Sequence, residues 1–333
     1  MKLRAVAAAL PERAVASDEI ARWSGLAEKF IADKIGIASR RFLAPDETPL
    51  SLAKRACEAL FAKAPELERA KVGALIVVTQ NPDFRIPHSS ALLQQALGLP
   101  TGVACFDIGL GCSGYVYGLS ALKGLMLAEG IRDGLLVTCD PYSRIMGRAD
   151  RDTIALFGDA ATASWLSAEA GAEIGRMDWG TDGAGAENLI VPAGGATRPL
   201  AGIDTPPGQE GAAQAADLHL RMNGRGIFNF MMQRLPGTLQ ACLEKNGVQR
   251  EAIDYFVLHQ ASRFLLETLG SKLEIPARKM PVNLEKVGNT VSSSIPLLLS
   301  EMEDAGSLRG KTVLVSGFGV GLSWASNILR FPQ

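Results

Sequence analysis

The segment from Val72 to Thr79, VGALIVVT, is apolar along nearly its whole length, which is typical of a strand buried within a parallel sheet. Segments with helical apolar spacing lie before and after it, at 50–64 and 87–97. Parallel strands cannot be joined by tight turns, because each connection must cross back over the sheet, usually as a helix. The chain is therefore constrained to an α/β architecture.

The same alternation of strand-like and helical segments continues to the C-terminus. The further predicted strands are the opening segment before Pro11, 103–107, 135–139, 161–166, 173–179, 255–258, 312–315 and 322–331. The further predicted helices are 19–26, 28–34, 113–128, 226–245, 261–273 and one after Asn289. Two halves of similar element order emerge, although the residues themselves show no repeat. A Gly/Pro/Ala-rich segment near 191–217 interrupts the second half and is either a domain linker or a long surface loop.

Composition excludes several classes of protein. A formal net charge of −1 over 333 residues gives no general electrostatic basis for binding nucleic acid or an anionic membrane. Five widely spaced cysteines argue against a disulfide framework and for a reducing compartment, and no Cys/His cluster suggests a metal. The N-terminal apolar run stops at Pro11, and no run approaches the roughly 18 residues of a membrane span. We expect a cytoplasmic protein.

Cys112 lies in the sequence VACFDIGLGCSGYVY, residues 103–117, between a strand-like run and a segment with helical spacing. The first N–H groups of a helix carry partial positive charge, so a thiolate there is favoured and its pKa should fall. The alternative is a small buried cysteine in a well-packed turn. Glycines on both sides favour a reactive thiol, because they allow a ligand to approach the backbone closely.

Two other polar residues are candidate partners of this thiol. His259 ends the apolar run YFVL, and ligands bind at such strand ends in open α/β sheets, although a structural histidine is equally compatible. His88 and His219 are better interpreted as surface residues. Asn289 lies in VGNTVSSS, where a helix cap or an Asx turn is the plain alternative.

The C-terminal segment VLVSGFGVGLSW superficially matches a dinucleotide-binding fingerprint through Gly317, Gly319 and Gly321. Only a strand-like segment follows, without room for the helix and downstream acid that the fingerprint needs. A glycine-rich turn that brings backbone N–H groups toward a reacting carbonyl fits the pattern better.

Five ordered motifs, DIGLGCSGYVYGLSAL, DRDTIALFGDAAT, VLHQA, KVGNTVSSSIP and GFGVGLSW, together resemble the β-ketoacyl-acyl-carrier-protein synthase III family of thiolase-fold condensing enzymes. The resemblance spans nearly the whole chain. It implies a homodimer and a thiolase-like fold, in which two similar α/β halves form a layered α-β-α-β-α arrangement. Residues 1–170 would form the half with the nucleophilic Cys, and 171–333 the half with His and Asn.

The resemblance also implies a reaction. Cys112 would take an acyl group from coenzyme A, while His259 and Asn289 would stabilise the enolate formed when malonyl carrier protein loses carbon dioxide. The backbone N–H groups of Cys112 and Val320 would hold the oxyanion. The product would be a β-ketoacyl thioester for fatty acid or specialised polyketide biosynthesis, made from acyl-CoA and malonyl-acyl carrier protein without a further cofactor.

At the substrate entrance the chain departs from this family. Phe30 and Lys34 stand where a Trp and an Arg typically hold coenzyme A, while Arg151 matches a second arginine of the family. Ser262 is a further candidate for substrate binding, and Ile86 stands at a gate to the acyl pocket, where a less bulky side chain would admit a different or longer acyl group.

Two basic positions of the family are also replaced, by Phe264 and Asn229, so we expect altered docking of the carrier protein. Three alternatives remain open. The first is acyl transfer from Cys112 to an alcohol or amine, with His259 as a base. The second is a cysteine hydrolase of the α/β-hydrolase type, which Leu110 disfavours because the nucleophile elbow needs a small residue there. The third is a silent subunit that only shapes a partner's pocket.

Overall fold

The computed structural model describes residues 1–200 and 215–333. The strands within these residues are β1 (Lys2–Ala9), β2 (Ala14–Ala16), β3 (Ser39–Arg41), β4 (Val72–Val78), β5 (Ala104–Ile108), β6 (Asp133–Cys139), β7 (Ala161–Ser167), β8 (Ala172–Ile174), β9 (Asp178–Thr181), β10 (Leu189–Ile190), β11 (Arg221–Met222), β12 (Tyr255–Leu258), β13 (Thr312–Gly319) and β14 (Ser323–Arg330). The α-helices are α1 (Ser17–Ser24), α2 (Glu28–Phe30), α3 (Pro49–Lys63), α4 (Ser89–Ala96), α5 (Gly114–Glu129), α6 (Gly224–Lys245), α7 (Arg263–Lys272), α8 (Leu284–Val287) and α9 (Ser294–Asp304).

The main sheet consists of two five-stranded parts. The first has the order β1-β7-β6-β4-β5, and the second has the order β12-β13-β14-β8, with β9 also pairing with β14. A short ladder between β1 and β8, in which Lys2 pairs with Glu173 and Leu3 with Ala172, joins the two parts. Strand β4 runs parallel to both β5 and β6, which confirms the buried parallel strand expected at Val72–Thr79.

Helices form three layers around these sheets. Helices α5 and α9 lie between the two sheets, where Leu119 and Leu299 pack in one buried cluster with Ile76 of β4 and Val313 of β13. Helices α3 and α4 cover the outer face of the first sheet, and α6 and α7 cover the outer face of the second. The α-β-α-β-α arrangement implied by the resemblance is confirmed.

Two of the predicted elements take a different form in the structure. The single strand expected at 173–179 is divided into β8 and β9, because the Arg176 N–H donates to the Asn246 side-chain oxygen and the Arg176 carbonyl accepts from the Asn246 amide, both at 2.7 Å. The helix expected at 28–34 changes after α2 into a π-helical turn, Ile31–Ile35, which ends at Gly36 with φ of 76°.

We propose that the two halves are 1–170 and 171–333. The proposed boundary lies between the end of β7 and the start of β8. Residues 201–214 of the predicted Gly/Pro/Ala-rich loop lie outside the described residues. In the part of the chain that the structure describes, no helix is both long and apolar enough to cross a membrane.

Candidate active site

Three polar side chains from separate motifs line one cavity, as the sequence predicts. They are Cys112, His259 and Asn289, and the cavity has a volume of about 110 Å³. All three are at least 95 % buried. The other lining residues are mostly apolar: Leu156, Phe157, Leu189, Met222, Gly224, Ile227, Met231, Ala261, Ser262, Leu265, Phe318 and Gly319.

Cys112 lies in the turn between β5 and α5, two residues before the first residue of the helix. The end of β13 packs against this turn so tightly that only glycine fits. A Cβ atom at Gly317 would lie 2.5 Å from the Cys112 carbonyl oxygen, and one at Gly319 would lie 2.9 Å from Sγ. The glycines of the C-terminal motif therefore allow β13 to close over the nucleophile.

The prediction that the helix start lowers the pKa of Cys112 is wrong for this structure. Burial, together with the charge of the nearby Asp140 carboxylate, raises the pKa of the thiol to about 12. Hydrogen bonds from the backbone N–H groups of Val320 and Cys112 act in the opposite direction without overcoming the desolvation. The sulfur in this cavity is consequently a neutral thiol at neutral pH.

His259 directly follows β12, and its backbone N–H donates to Ser316 O at 2.8 Å. The sheet therefore fixes the backbone of His259. Its Nδ1 lies 2.7 Å from Ser294 Oγ, and its ring meets Phe318 edge-on with centroids 5.5 Å apart. Burial lowers the pKa of the imidazole to about 3. His259 is therefore a neutral, firmly oriented side chain rather than a cation.

Asn289 is held by both its side chain and its backbone. Its Oδ1 accepts a hydrogen bond from the Val291 N–H at 2.9 Å, which leaves the Nδ2 group as the donor. Its backbone N–H donates to Leu156 O and its carbonyl accepts from the Gly158 N–H, both at 2.9 Å. Val291 has φ of 53°, which is strained for a β-branched residue.

The arrangement combines a nucleophile and hydrogen-bond donors in a mostly apolar cavity. Among the described residues, the lining of the cavity contains no carboxyl group that could serve as a general acid. Hydrogen bonds from neutral groups are much stronger in such a site than in water, and they favour a developing oxyanion or enolate. The site is therefore suited to acyl transfer and to stabilising negative charge on a thioester oxygen.

The predicted substrate residues divide into two groups. Ser262 lines the cavity and caps α7, accepting a hydrogen bond from the Leu265 N–H at 3.3 Å. Phe30, Lys34, Ile86 and Arg151 are exposed and do not belong to the described lining, so their roles remain predictions.

At the two replaced basic positions, Asn229 and Phe264 are both exposed. The Phe264 ring stacks on Phe228 with centroids 5.8 Å apart, which places an aromatic pair where α6 and α7 meet. Phe228 and Phe264 are the sequence neighbours of Ile227 and Leu265, which line the cavity.

Several residues near the site were missed by the sequence reasoning. Tyr142 donates from its hydroxyl to Gln80 Oε1 at 2.8 Å, and Asp140 accepts from the Gln80 N–H at 2.6 Å and from Ser292 Oγ. Gln80 and Asp140 follow the parallel strands β4 and β6. Ligands bind at the carboxyl ends of strands in open α/β sheets. This principle, which indicated His259, would also have identified Gln80 and Asp140.

Comparison with known proteins identifies relatives along the whole chain. Residues 106–183 match the family described as 3-oxoacyl-[acyl-carrier-protein] synthase III, and residues 243–331 match its C-terminal model. The chain is 33 % identical over 330 residues to the β-ketoacyl-[acyl-carrier-protein] synthase III of Acidiphilium cryptum, covering 99 % of this chain and 98 % of that protein. It is 36 % identical over 318 residues to an acetoacetyl CoA synthase of Streptomyces sp. CL190, covering 94 % and 93 %.

A crystal structure of a 3-oxoacyl-(acyl-carrier-protein) synthase III superposes with a TM-score of 0.90 at 40 % identity, covering 99 % of both chains. That similarity confirms the thiolase-like fold inferred above from the two sheets and the three helical layers. The chain belongs to the β-ketoacyl-acyl-carrier-protein synthase III family of condensing enzymes.

Proposed function

We propose that this protein catalyses a decarboxylative Claisen condensation between an acyl group from acyl-CoA and a malonyl thioester, in fatty acid or polyketide biosynthesis. The observation that carries the proposal is the convergence of Cys112, His259 and Asn289 on one cavity. The product is a β-ketoacyl thioester, and malonyl-acyl carrier protein is the proposed extender.

The first step transfers the acyl group to the enzyme. The Cys112 sulfur attacks the thioester carbon of acyl-CoA, the bond from that carbon to the coenzyme A sulfur breaks, and the thiol proton goes to the departing sulfur. Because the pKa of Cys112 is raised to about 12, sulfur attack and proton loss must be closely coupled in time. The proposed stabilisers of the negative charge are the backbone N–H groups of Val320 and Cys112, whose hydrogen bonds lower that pKa.

The second step forms the new carbon–carbon bond. The bond between the malonyl carboxylate and the α-carbon breaks, carbon dioxide leaves, and the electron pair becomes an enolate on the thioester oxygen. Neutral N–H donors from His259 and Asn289 stabilise that oxygen. The enolate carbon attacks the acyl group on Cys112, and the tetrahedral intermediate collapses as the Cys112 sulfur leaves and takes up a proton.

Single substitutions separate the two steps. Cys112→Ser should abolish transfer of an acyl group from acyl-CoA to the protein, measured by intact mass. His259→Ala and Asn289→Ala should retain that labelling but lose carbon dioxide release from malonyl-acyl carrier protein by roughly 100-fold or more. His219→Ala is the matched control, because His219 is exposed and lies outside the cavity lining. Acyl labelling at a residue other than Cys112 would contradict the proposal.

The pKa of His259 supports condensation over acyl transfer to an alcohol or amine. A general base is most effective when its pKa lies near the working pH, and burial lowers that of His259 to about 3. Release of carbon dioxide in equal amount to product would agree with condensation. Product formation from an alcohol or amine without carbon dioxide would support the other reaction.

A second candidate for the extender is malonyl-CoA. One relative is named acetoacetyl CoA synthase, and the exposed Phe264, stacked on the partly buried Phe228, offers an aromatic surface instead of a basic one. The ratio of kcat/KM for malonyl-CoA and malonyl-acyl carrier protein decides between the two. Restoring a basic residue with Phe264→Arg should shift that ratio toward the carrier protein if docking depends on charge.

We further propose that Phe30, Lys34 and Arg151 bind the nucleotide part of coenzyme A, and that the protein is a cytoplasmic homodimer. The three side chains are exposed and can reach a ligand from solvent.

Strand β5 ends the first sheet, and Phe106 on this edge is 38 % exposed, so a second copy could continue the sheet. Sedimentation equilibrium tests the dimer. Activity after chelator treatment tests the proposal that no metal is needed, and activity after extensive dialysis tests it for a dissociable organic cofactor.

A further inference from the structure

We infer that the hydroxyl groups of Ser113 and Ser323 hold the backbone N–H of Val320 against the Cys112 sulfur. The inference rests on the proposed function, in which that N–H is a proposed stabiliser of the oxyanion. It assigns a positioning role to two serines outside the described cavity lining, one of which directly follows the nucleophile in the chain.

Val320 lies in the short loop between β13 and β14, and this loop packs against the turn that carries Cys112. A Cβ atom at Gly111 would lie 2.7 Å from Val320 Cγ1, and one at Gly319 would lie 2.9 Å from Cys112 Sγ. The backbone N–H of Val320 lowers the pKa of the thiol, as expected for a donor that reaches the sulfur. The position of this N–H therefore depends on how the loop is held.

A hydrogen bond from Ser323 closes the loop. Its Oγ donates to the Val320 carbonyl at 2.8 Å. Gly319 pairs with Ser323 in the ladder of β13 and β14, so the peptide group before Val320 begins in the sheet, and Ser323 holds the one after it. Gly321 leaves room for this contact, because a Cβ atom there would lie 3.2 Å from Ser323 Oγ. With both peptide planes next to Val320 held, its N–H has little freedom to turn.

Ser113 links this loop to the turn of the nucleophile. Its Oγ lies 2.7 Å from Ser323 Oγ, and both residues are 1 % exposed. Because Ser323 donates its only hydroxyl proton to the Val320 carbonyl, Ser113 is the donor in this pair. Ser113 is the N-cap residue of α5, yet its side chain makes no capping hydrogen bond. Its hydroxyl instead connects the residue after Cys112 to the loop that carries the N–H donor.

The rates of the two chemical steps test the inference. In Ser323→Ala the Val320 carbonyl loses its donor, so labelling of Cys112 by acetyl-CoA should slow by roughly tenfold or more, measured by intact mass. Carbon dioxide release from malonyl-acyl carrier protein, measured with enzyme already acylated on Cys112, should change by less than about threefold, because His259 and Asn289 stabilise that step.

Ser326→Ala is the matched control. Ser326 is 0 % exposed, and its Oγ lies 2.8 Å from Ser316 Oγ across the same two strands, so this variant also removes one member of a buried pair of serine hydroxyls. The pair lies further along the strands, away from the loop. Acylation in Ser326→Ala should therefore change by less than about threefold.

Ser113→Ala is a second variant, which removes only the outer hydrogen bond, and thermal unfolding checks the folding of each variant. It should slow acylation by about threefold, less than Ser323→Ala does. Since Ser113 acts through Ser323, the double variant should match Ser323→Ala within about twofold.

The outcomes separate this inference from the proposed function. The inference would be overturned by a Ser323→Ala acylation rate within about threefold of the control, by equal loss of acylation and carbon dioxide release, or by single effects that multiply in the double variant. Each of these leaves the function intact. Absence of acyl labelling in the unmodified protein would contradict the function itself.

Discussion

Gly319 approaches Cys112 so closely that a single added carbon would touch the sulfur. A Cβ atom on Gly319 would lie 2.8 Å from the Cys112 Cβ and 2.9 Å from Sγ. This contact joins the last residue of β13, in the second half of the chain, to the nucleophile in the first half. The lack of a side chain at Gly319 therefore leaves room for an acyl group on the sulfur.

Gly319→Ala should reduce acylation of Cys112 by roughly 100-fold or more, because the methyl group takes the space of the acyl carbon and overpacks the turn. The measurement is the initial rate of labelling by acetyl-CoA, followed by intact mass. Gly124→Ala is the matched control, since a Cβ there would meet no atom within 4 Å. Its labelling rate should stay unchanged, and a Gly319→Ala rate within threefold of the control would contradict the steric role.

Asp140→Asn should make Cys112 more reactive at a given alkaline pH. The Asp140 carboxylate raises the pKa of the thiol, so its removal lowers that pKa and increases the thiolate fraction. At a pH below the pKa of the thiol, each unit by which that pKa decreases would accelerate alkylation by iodoacetamide about tenfold. The rate at Cys112 should be followed by peptide mass spectrometry between pH 7 and 10.

Asp159→Asn is the control for that experiment. Asp159 is also fully buried, and burial raises the pKa of its carboxyl to about 6, as it does for Asp140. Its charge raises the pKa of Cys139 and does not contribute to that of Cys112. Equal acceleration by both variants would indicate loosened packing rather than removal of a local charge.

The fold was largely predictable because its signals are local and repeated. The apolar run of β4 and the helical spacing of α3 and α5 report burial directly, and each matches the structure within about two residues. The division of the strand expected at 173–179 was not predictable. It depends on the side chain of Asn246, the residue directly after α6, which is distant in sequence.

The site shows the same contrast. Cys112, His259 and Asn289 were identified from motifs that place each at the end of an element. The raised pKa of Cys112 was not predictable, because it results from the closure of β13 over the thiol and from Asp140, neither of which is local in sequence. Tyr142 was missed for a related reason, since its packing on Phe157 and its hydrogen bond to Gln80 place it in the buried cluster of Cys112, and no local sequence pattern indicates these contacts.

Decarboxylation should not lose activity through protonation of His259 between pH 8 and 5. The pKa of the buried imidazole is lowered to about 3, so the ring remains a neutral donor throughout this range. Carbon dioxide release from malonyl thioester by the unmodified protein measures this directly. A decrease with an apparent pKa between 6 and 7 that persists in Asp140→Asn and in Asp159→Asn, which remove the two buried carboxyls with a pKa of about 6, would contradict a neutral His259.

The lowered pKa of His259 also affects stability. In the unfolded chain a histidine titrates near 6.5, so between that pH and about 3 the unfolded state binds the proton more readily. The contribution of the neutral ring is present above pH 6.5 and is lost as the pH falls. His259→Asn should therefore lose less unfolding free energy than the unmodified protein between pH 7 and 5, measured by urea denaturation. An identical decrease in both proteins would exclude His259 as its cause.

Arg40 is a buried cation beneath the segment that holds Asn289. It is 0 % exposed, its Nη2 donates to Ala155 O at 2.8 Å, and its Nε and Nη1 have no protein partner within the described residues. Burial lowers the pKa of the guanidinium to about 10. Its Cβ also lies close to Gly158 and Gly288, where added Cβ atoms would be 3.1 and 3.4 Å away.

Arg40→Met should therefore slow decarboxylation by roughly tenfold while acylation of Cys112 changes by less than about threefold. The guanidinium fixes the strand-like segment whose Leu156 and Gly158 bond to the Asn289 backbone, and Asn289 acts only in decarboxylation. Arg40→Lys keeps the charge and should recover part of the rate. The two rates are measured separately, by intact mass and by carbon dioxide release. A parallel loss of both would mean that Arg40 supports the fold in general, whereas unequal loss with unchanged thermal unfolding identifies it as a residue that positions Asn289.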